Sequence, residues 1–340
     1  MSYQIQPADK KSRFFENRRA KISFYILSFL FVLSLFSDFI ANDKPLLVKY
    51  NGTLYFPIIA DYYETEFGGD FETFTDYKDE FIINNIEKNG FILMPPIEYS
   101  FNTINYYLES PAPAPPSSEN ILGTDDQGRD IFARLLYGMR VSFLFGIFLT
   151  LFSSIIGVAV GGISGYFGGN LDIFTQRFVE IWSSLPFLFI LIILSDFITP
   201  DFWWLLLIML LFFWTNLVGL VRAEFLKVRN FEFVMSAKAL GGRDFYIIFR
   251  HILPNAIVST ITYLPFIFVA SIVSLTSLDF LGFGLSVESA SLGEILSQAK
   301  NNLNAPWIGL SIMVVLSLIL TLSVFVGEGI RDAFDPRKNL

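Results

Sequence analysis

The sequence predicts an all-α polytopic membrane protein with six transmembrane helices. Of its 340 residues, 53% are hydrophobic and 16% are charged, whereas a soluble domain has about 25% charged residues. The apolar residues form long blocks, and about 20 residues of helix cross the roughly 30 Å of hydrocarbon in a bilayer. The six blocks are residues 22–37, 141–167, 178–198, 202–221, 256–278 and 301–327.

Two of these blocks are less regular than the others. The first reaches full length only when Phe39 and Ile40, beyond Asp38, are added, and the third contains Glu180 and Asp196 near its ends. A cleaved signal peptide is the alternative for the first block. Phe39 stands where a signal peptidase requires a small residue, so we favour an uncleaved anchor.

The distribution of basic residues predicts that both termini lie in the cytoplasm. Lys and Arg in short loops set the orientation of a membrane protein. Six precede the first block, six lie in the loop 222–255, and Arg331, Arg337 and Lys338 follow the last block. The predicted organisation is a cytoplasmic N-terminus (1–21), a first transmembrane helix (22–40), a periplasmic insert (41–128) and a core with five transmembrane helices (129–340).

The insert carries most of the acidic charge. Residues 41–120 hold thirteen acidic and four basic residues, and many aromatic ones. A loop of this length and composition predicts a small folded subdomain, and we expect it to be a solvated cap rather than a docking surface or gate.

A helix is predicted between the insert and the second block. After the stiff spacer 111–116 (PAPAPP), apolar Ile131, Leu135 and Met139 recur every four residues. This spacing predicts a helix over 122–140 that lies on the membrane surface.

Two features of the later blocks concern helix packing. Gly157, Gly161, Gly165 and Gly169 recur at four-residue intervals, which predicts close approach of another helix. Pro186, inside the third block, predicts a kink.

Several kinds of chemistry are excluded or disfavoured. There is no phosphate-loop motif for ATP, no cysteine and a single histidine, His251, so zinc sites built from several cysteines or histidines are excluded. Ser164 lies in a G-x-S-G sequence, like the nucleophile of intramembrane serine proteases, but such a serine needs a histidine on a facing membrane helix. His251 lies at a block boundary, so the protease is a disfavoured alternative. A passive ion channel is disfavoured because the blocks lack a ring of carboxylates.

The loop 222–255 predicts a short helix that projects from the membrane. Phe231, Val234, Ala237 and Gly241 share one helical face. We expect Gly241 to end the helix, Asp244 to start a second one, and Pro254 to begin the next span. A helix with such a face suits a groove on a cytoplasmic partner, or it lies on the inner leaflet with its basic residues against lipid. These residues alone leave both readings open.

A family resemblance favours the first reading. MSAKALGG (235–242) followed by HILP (251–254) resembles the EAA signature of ABC importer permeases. Ala237, Gly241, Leu253 and Pro254 match it, whereas Met235, Ser236 and His251 depart from it. The RHILPN form is similar to that of the dipeptide, oligopeptide and nickel permeases. The segments 122–142, 278–284 (LDFLGFG) and 331–336 (RDAFDP) agree, and residues 41–57 with the insert resemble the Yej-type permeases.

The resemblance implies a fold, a function and partners. The fold would be that of a type I ABC importer permease, forming half of a heterodimeric pore in the bacterial cytoplasmic membrane. It would import oligopeptides, microcin C-like peptide–nucleotides included, with a homologous second permease, two ABC ATPase domains that bind ATP and Mg, and a periplasmic peptide-binding protein. The chain would be no enzyme and would bind neither a cofactor of its own nor nucleic acid. Its contacts with the ATPase would come from Phe231, Val234, Ala237, Leu240, Gly241, Leu253 and Pro254.

Overall fold

The computed structural model describes residues 10–195, 197–198, 200–286 and 288–334. Asp196, Arg337, Lys338 and the end of the 331–336 motif therefore lie outside the described residues. The helices up to the insert's end are α1 (Lys10–Glu16), α2 (Arg18–Leu35), α3 (Ser37–Ile40) and α4 (Glu80–Asn89). The later ones are α5 (Ile131–Phe167), α6 (Gly169–Ser183), α7 (Phe187–Ser195), α8 (Phe202–Phe213), α9 (Thr215–Val228), α10 (Glu232–Ala239), α11 (Asp244–Ile247), α12 (Leu253–Phe280), α13 (Leu292–Asn301) and α14 (Pro306–Phe334).

Four helical stretches of the described chain are long and apolar enough to cross a membrane. They are Ile131–Phe167, Phe202–Val228, Asp244–Phe280 and Pro306–Phe334. A fifth is obtained when α6 and α7 are counted as one span. The two helices meet at a 60° bend, which confirms the kink predicted from Pro186. Helix α2, with three basic residues among its eighteen, falls short of these measures, so a total of six spans stays a prediction.

Helix α5 is the centre of the core and packs on α2, α8, α9 and α12. Three of its glycines lie so close to α9 that an added Cβ would fall 2.7–2.8 Å from a backbone oxygen: Gly157 against Trp214, Gly161 against Val218, and Gly165 against Arg222. Only glycine permits this separation, so the close helix approach predicted from the glycine spacing is confirmed. Gly169 is different, because it lies in α6 and its Cβ position is open.

The insert contains a folded subdomain, as the sequence predicts. Strand β1 (Leu47–Tyr50) pairs antiparallel with β2 (Thr53–Tyr55) on one side and β3 (Gly90–Leu93) on the other. Helix α4 is capped by Asp79, whose carboxylate accepts from the backbone N–H of Phe81 at 2.7 Å. The subdomain core is formed by Val48, Phe67, Tyr77, Ile82 and Ile86.

The predicted membrane-surface helix over 122–140 is wrong. Asp130 caps a helix that begins at Ile131 and continues without interruption into the span. Ile131, Leu135 and Met139 are buried in protein rather than in lipid, and Arg134, expected on the polar face, is 0% exposed. The difference comes from a tertiary contact, because the polar side chains of this segment pair with side chains of a helix that is distant in the sequence.

Those partners form the α5–α13 charged cluster, which comprises Asp125, Arg129, Arg134, Glu294 and Gln298. Arg129 donates from Nε to Asp125 at 2.7 Å, and both arginines pair with Glu294. Gln298 donates to Glu294 as well. Buried charges are tolerated when they are paired in this way, so the cluster ties α13 to the start of α5.

Candidate coupling site

The segment between α9 and α12 is built around α10. The backbone N–H groups of Val234 and Met235 bond to the carbonyl of Phe231, and Glu232 in the first turn suits the helix dipole. At the other end the N–H groups of Gly241 and Gly242 bond back to the carbonyls of Lys238 and Ala237. Gly241 has φ +82°, a conformation that favours glycine. The predicted end of the helix at this glycine is confirmed.

After Gly242 the chain turns back to the membrane in three steps. Helix α11 begins at Asp244, as the sequence predicts, and a π-helical turn (Ile248–Ile252) follows it. Helix α12 then begins at Leu253, with Pro254 in its first turn. Proline is tolerated there because the first N–H groups of a helix have no partner within it. The α12 helix thus begins at the predicted position, whereas the apolar stretch that is long enough to span a membrane already begins at Asp244.

Part of α10 is buried against the chain itself. Val234 is 2% exposed and packs in a cluster with Tyr166, Phe225, Ile247 and Ile252. Ala237 and Leu253 pack against the same cluster. The expectation that Phe231, Val234, Ala237 and Gly241 form one free face is therefore wrong for Val234 and Ala237. The turn between α11 and α12 folds back under α10 and covers them.

The free surface keeps Phe231 and otherwise consists of different residues; we call it the α10 outer surface. It consists of Phe231, Phe233, Met235 and Leu240, whose exposed fractions are 41%, 44%, 53% and 89%. Gly241, which follows Leu240, is exposed as well, and so is Pro254 in the first turn of α12. The sequence does not predict Phe233 and Met235 as part of this surface, because they lie off the helical face that contains Val234 and Ala237. Four exposed apolar side chains on one short helix and its two capping residues are typical of a contact surface.

Polar contacts attach this segment to the C-terminal end of α5. The Tyr166 hydroxyl donates to Asp244 Oδ1 at 2.5 Å. Arg229 Nη1 donates to the carbonyls of Gly165 and Tyr166 at 3.0 and 3.1 Å. The last carbonyls of a helix lack partners within it and carry partial negative charge, so a guanidinium there stabilises the helix end. The sequence held no signal that paired Arg229 with residues 64 positions away.

A second ion pair holds α6 against α9. Arg222 donates to Asp172 through two parallel bonds, Nε to Oδ1 at 2.5 Å and Nη2 to Oδ2 at 2.6 Å. Bidentate pairs of this kind fix geometry more strongly than single bonds. With the Tyr166 and Arg229 contacts, this pair makes α5, α6, α9 and α11 one connected unit beneath α10.

Ser164 and His251 do not form a nucleophile and base pair. Ser164 is fully buried, and its Oγ donates 3.1 Å to the carbonyl of Gly161 in its own helix. His251 lies between the rings of Phe233 and Tyr246 instead. In the described part of the chain, no group of three His, Asp or Glu side chains is arranged to hold a metal ion.

Comparison with known proteins identifies a family and several relatives of this chain. Residues 157–340 match the family described as "Binding-protein-dependent transport system inner membrane component". The chain is 53% identical to "Inner membrane ABC transporter permease protein YejE" of Escherichia coli K12, over 96% of each chain. It is 50% identical to "Peptidoglycan transport system permease protein YejE" of Agrobacterium fabrum, over 98% of this chain and 94% of the relative. With "Dipeptide transport system permease protein DppC" of Bacillus subtilis it shares 32% identity over 66% of this chain and 70% of the relative.

Proposed function

Because the chain belongs to the family of binding-protein-dependent transport system inner membrane components, we propose that it is a membrane permease subunit of an ATP-driven peptide importer. Its near full-length similarity to two permease proteins supports this role, and those relatives are permease subunits rather than enzymes. The chain sits in the bacterial cytoplasmic membrane as a multi-pass protein with both termini inside.

The observation that carries the proposal is the α10 outer surface. Phe231, Phe233, Met235 and Leu240 are exposed on a helix that is rigidly supported from below. In our proposal this surface seats in a cleft of an ABC ATPase. Phe231, Leu240 and Gly241 make the contact, Val234, Ala237 and Leu253 hold the helix in position, and Pro254 starts the span that receives the motion.

Energy would then pass from the ATPase into the membrane through contiguous contacts. ATP and Mg bind the two ATPase domains, since this chain has no phosphate loop. Closure of those domains moves α10, and the Tyr166–Asp244 and Arg229–Gly165 contacts carry the displacement to α5. Rigid-body movement of packed helices is a common way to alternate access between two sides.

The remaining parts of the proposal concern the assembly and the cargo. The chain forms half of a heterodimeric pore with a homologous second permease, and an extracytoplasmic binding protein delivers the substrate. The dipeptide-permease relative supports peptides as the substrate class. Microcin C-like peptide–nucleotides follow from the Yej-type resemblance. The name of the Agrobacterium relative, a peptidoglycan transport system permease, makes peptidoglycan material a second candidate cargo.

The test is co-purification of the tagged chain in mild detergent, with mass spectrometry of the bound proteins. Three forms are compared: wild type, Gly241→Asn and Gly241→Asp. Asn and Asp have nearly the same shape and both tolerate positive φ, so the pair isolates the effect of a charge beside the α10 outer surface. We expect wild type and the Asn variant to retain a second permease, a binding protein and an ABC ATPase. The Asp variant should retain the permease and lose most of the ATPase.

Two results would contradict the proposal. A wild-type chain that purifies alone in several detergents removes the coupling role, and a membrane-surface helix becomes the better reading of α10. Equal ATPase recovery with the Asp and Asn variants means that the contact lies elsewhere on the chain.

A further inference from the structure

A long groove runs along α5 and α12 in the part of the chain that spans the membrane. Its volume is about 1090 Å³, and its lining residues lie between positions 147 and 167 of α5 and between 253 and 268 of α12. At 1.5 Å per residue these stretches are about 30 and 22 Å long. Leu27 of α2 and Val326 of α14 also line the groove. It therefore follows more than half of the roughly 30 Å of hydrocarbon in a bilayer.

The groove presents apolar side chains and almost no polar surface within the spans. Its hydroxyl-bearing residues there are at most 8% exposed; they are Thr150, Ser154, Thr260 and Ser323. Ile155, by contrast, lines the groove and is 58% exposed. A peptide in this position would leave its backbone N–H and C=O groups without hydrogen-bond partners, which is costly. The lining therefore favours an apolar occupant over the peptides of the proposed transport function.

The end of the groove nearest α10 combines aromatic rings with cations. Phe245 and Phe249 line it there, are 73% and 53% exposed, and have ring centroids 4.4 Å apart. Arg243 and Arg250 flank these two rings in sequence, and both side chains are exposed. Among the residues that the structure describes, neither guanidinium has an ion pair or a hydrogen-bond partner. Aromatic rings at the end of a span lie at the level of lipid headgroups, and guanidinium groups bind phosphate.

The charge at this end of the groove suits a phosphate. One carboxylate, Asp244, also lines it, but Asp244 accepts the Tyr166 hydroxyl, and the two arginines leave this end cationic. A spanning helix of another protein brings its own Lys and Arg to this depth, because cytoplasmic loops are rich in them. Like charges would then face one another. A phospholipid supplies the opposite charge in its phosphate and hydrocarbon in its acyl chains.

We propose that the groove binds the acyl chains of an anionic phospholipid from the leaflet on the α10 side, and that Arg243 and Arg250 hold the phosphate of its headgroup. The inference needs only a chain that spans a membrane, and it does not rest on peptide transport or on contact with an ATPase. An acyl chain in the groove contacts Ile155 of α5 and Phe249 of the turn after α11. The lipid thereby becomes part of the contact between α5 and the segment after α10.

The test is photo-crosslinking of the full-length chain in lipid nanodiscs, together with the subunits that co-purify with it. The two probes are phosphatidylglycerol, which is anionic, and phosphatidylcholine, which has no net charge; each carries a diazirine in one acyl chain. Mass spectrometry quantifies the labelled peptides. We expect the phosphatidylglycerol probe to label the groove stretches of α5 and α12 about tenfold more than the other probe does, since basic residues at a membrane surface attract anionic lipids. The exposed stretch of α14 around Val314 and Leu318, outside the groove, should show no such preference.

A matched pair of variants tests the apolar part of the site. Ile155→Trp narrows the groove, whereas its neighbour Ile156 is also exposed but does not line the groove. We expect Ile155→Trp to lower groove labelling about fivefold, because the indole takes the place of the lipid chain. Ile156→Trp should leave the labelling within about twofold of wild type.

A second pair tests the headgroup contact. Arg243→Gln with Arg250→Gln should abolish the preference for phosphatidylglycerol. Arg18→Gln with Arg19→Gln, which removes two exposed arginines of α2, should keep it. Thermal unfolding verifies that each variant is folded, and the arginine pairs decide the question on their own if Ile155→Trp is not.

Three results would overturn the proposal. Groove stretches that are labelled no more strongly than α14, or that a folded Ile155→Trp chain labels like wild type, hold no lipid. Equal labelling by the two probes, or a preference that survives the loss of both arginines, removes the anionic headgroup. Labelling of the chain alone that disappears when a second permease co-purifies shows that protein covers the groove. Failure to recruit an ATPase, which would contradict the proposed function, changes none of these outcomes.

Discussion

Replacing Tyr166 by Phe removes one hydroxyl from the attachment of α11 to α5 and leaves the ring in place. The hydroxyl donates to Asp244 at 2.5 Å, and the side chain is 9% exposed. The two bonds from Arg229 to α5 carbonyls remain. We therefore expect the variant to fold and assemble while α11 separates from α5 more often.

The magnitude follows from the kind of bond. A hydrogen bond to a charged group contributes about 1.5–3 kcal/mol. Asp244 is exposed to solvent, and water replaces part of the lost interaction, so the lower end of that range applies. About 1.4 kcal/mol corresponds to a tenfold change in an equilibrium constant. The population in which α11 is detached from α5 should rise about tenfold.

Two measurements check this expectation. Hydrogen exchange of the Ile247 and Ile248 amides, which bond to the carbonyls of Arg243 and Asp244, should be about tenfold faster in Tyr166→Phe. Peptide accumulated per ATP hydrolysed in proteoliposomes should fall. Tyr246→Phe is the control, since Tyr246 is an exposed tyrosine of the same segment. If Tyr166→Phe exchanges and transports like the control, the contact does not carry movement into α5 and the reasoning is wrong.

Three further predictions concern other parts of the chain. Glu294→Gln should lower the free energy of unfolding by about 3–5 kcal/mol, because fully buried Arg134 loses its main counter-charge. Thermal unfolding in detergent measures this change, and an unchanged melting temperature would contradict the role of the α5–α13 charged cluster. Burial raises the pKa of Asp130, so the native state binds its proton more readily than the unfolded state does. That contribution to stability grows as pH falls from 7 toward the unfolded pKa near 4, and Asp130→Asn should abolish this part of the pH dependence; equal slopes for the two proteins would refute it. Ser164→Ala should leave peptide uptake within about twofold of wild type in vesicles, whereas the protease alternative requires complete loss of activity.

The features that could be predicted from the sequence are those set by neighbouring residues. The glycine spacing in α5, the end of α10 at Gly241, the start of α11 at Asp244 and the kink at Pro186 all depend on local backbone chemistry. The folded insert followed from its length and its aromatic content. Each of these predictions needed only the residue types and their spacing, and not the identity of the distant partner.

The features that could not be predicted depend on long-range pairing. The sequence predicted Arg134 on the polar face of a surface helix. In the structure Arg134 is buried, because it pairs with Glu294, which lies 160 positions away. The sequence predicted Val234 on a docking face, but the turn between α11 and α12 covers it. Nothing local marked Asp172 as the partner of Arg222. Periodicity identifies an apolar face and does not tell whether the chain itself or a partner covers it.

The length of α5 has a mechanical consequence. A single helix joins the buried charged cluster beside the insert to the point where Arg229 and Asp244 are attached, without a proline or a break along its roughly 55 Å. In the proposed coupling role, such a helix would act as a lever arm together with the helices packed on it. A tilt of about 5° at the end beneath α10 displaces the opposite end by about 5 Å, which is close to one helical turn. In the proposed coupling role, a small rotation of α10 would therefore become a sideways displacement of about one helical turn at the insert end of α5.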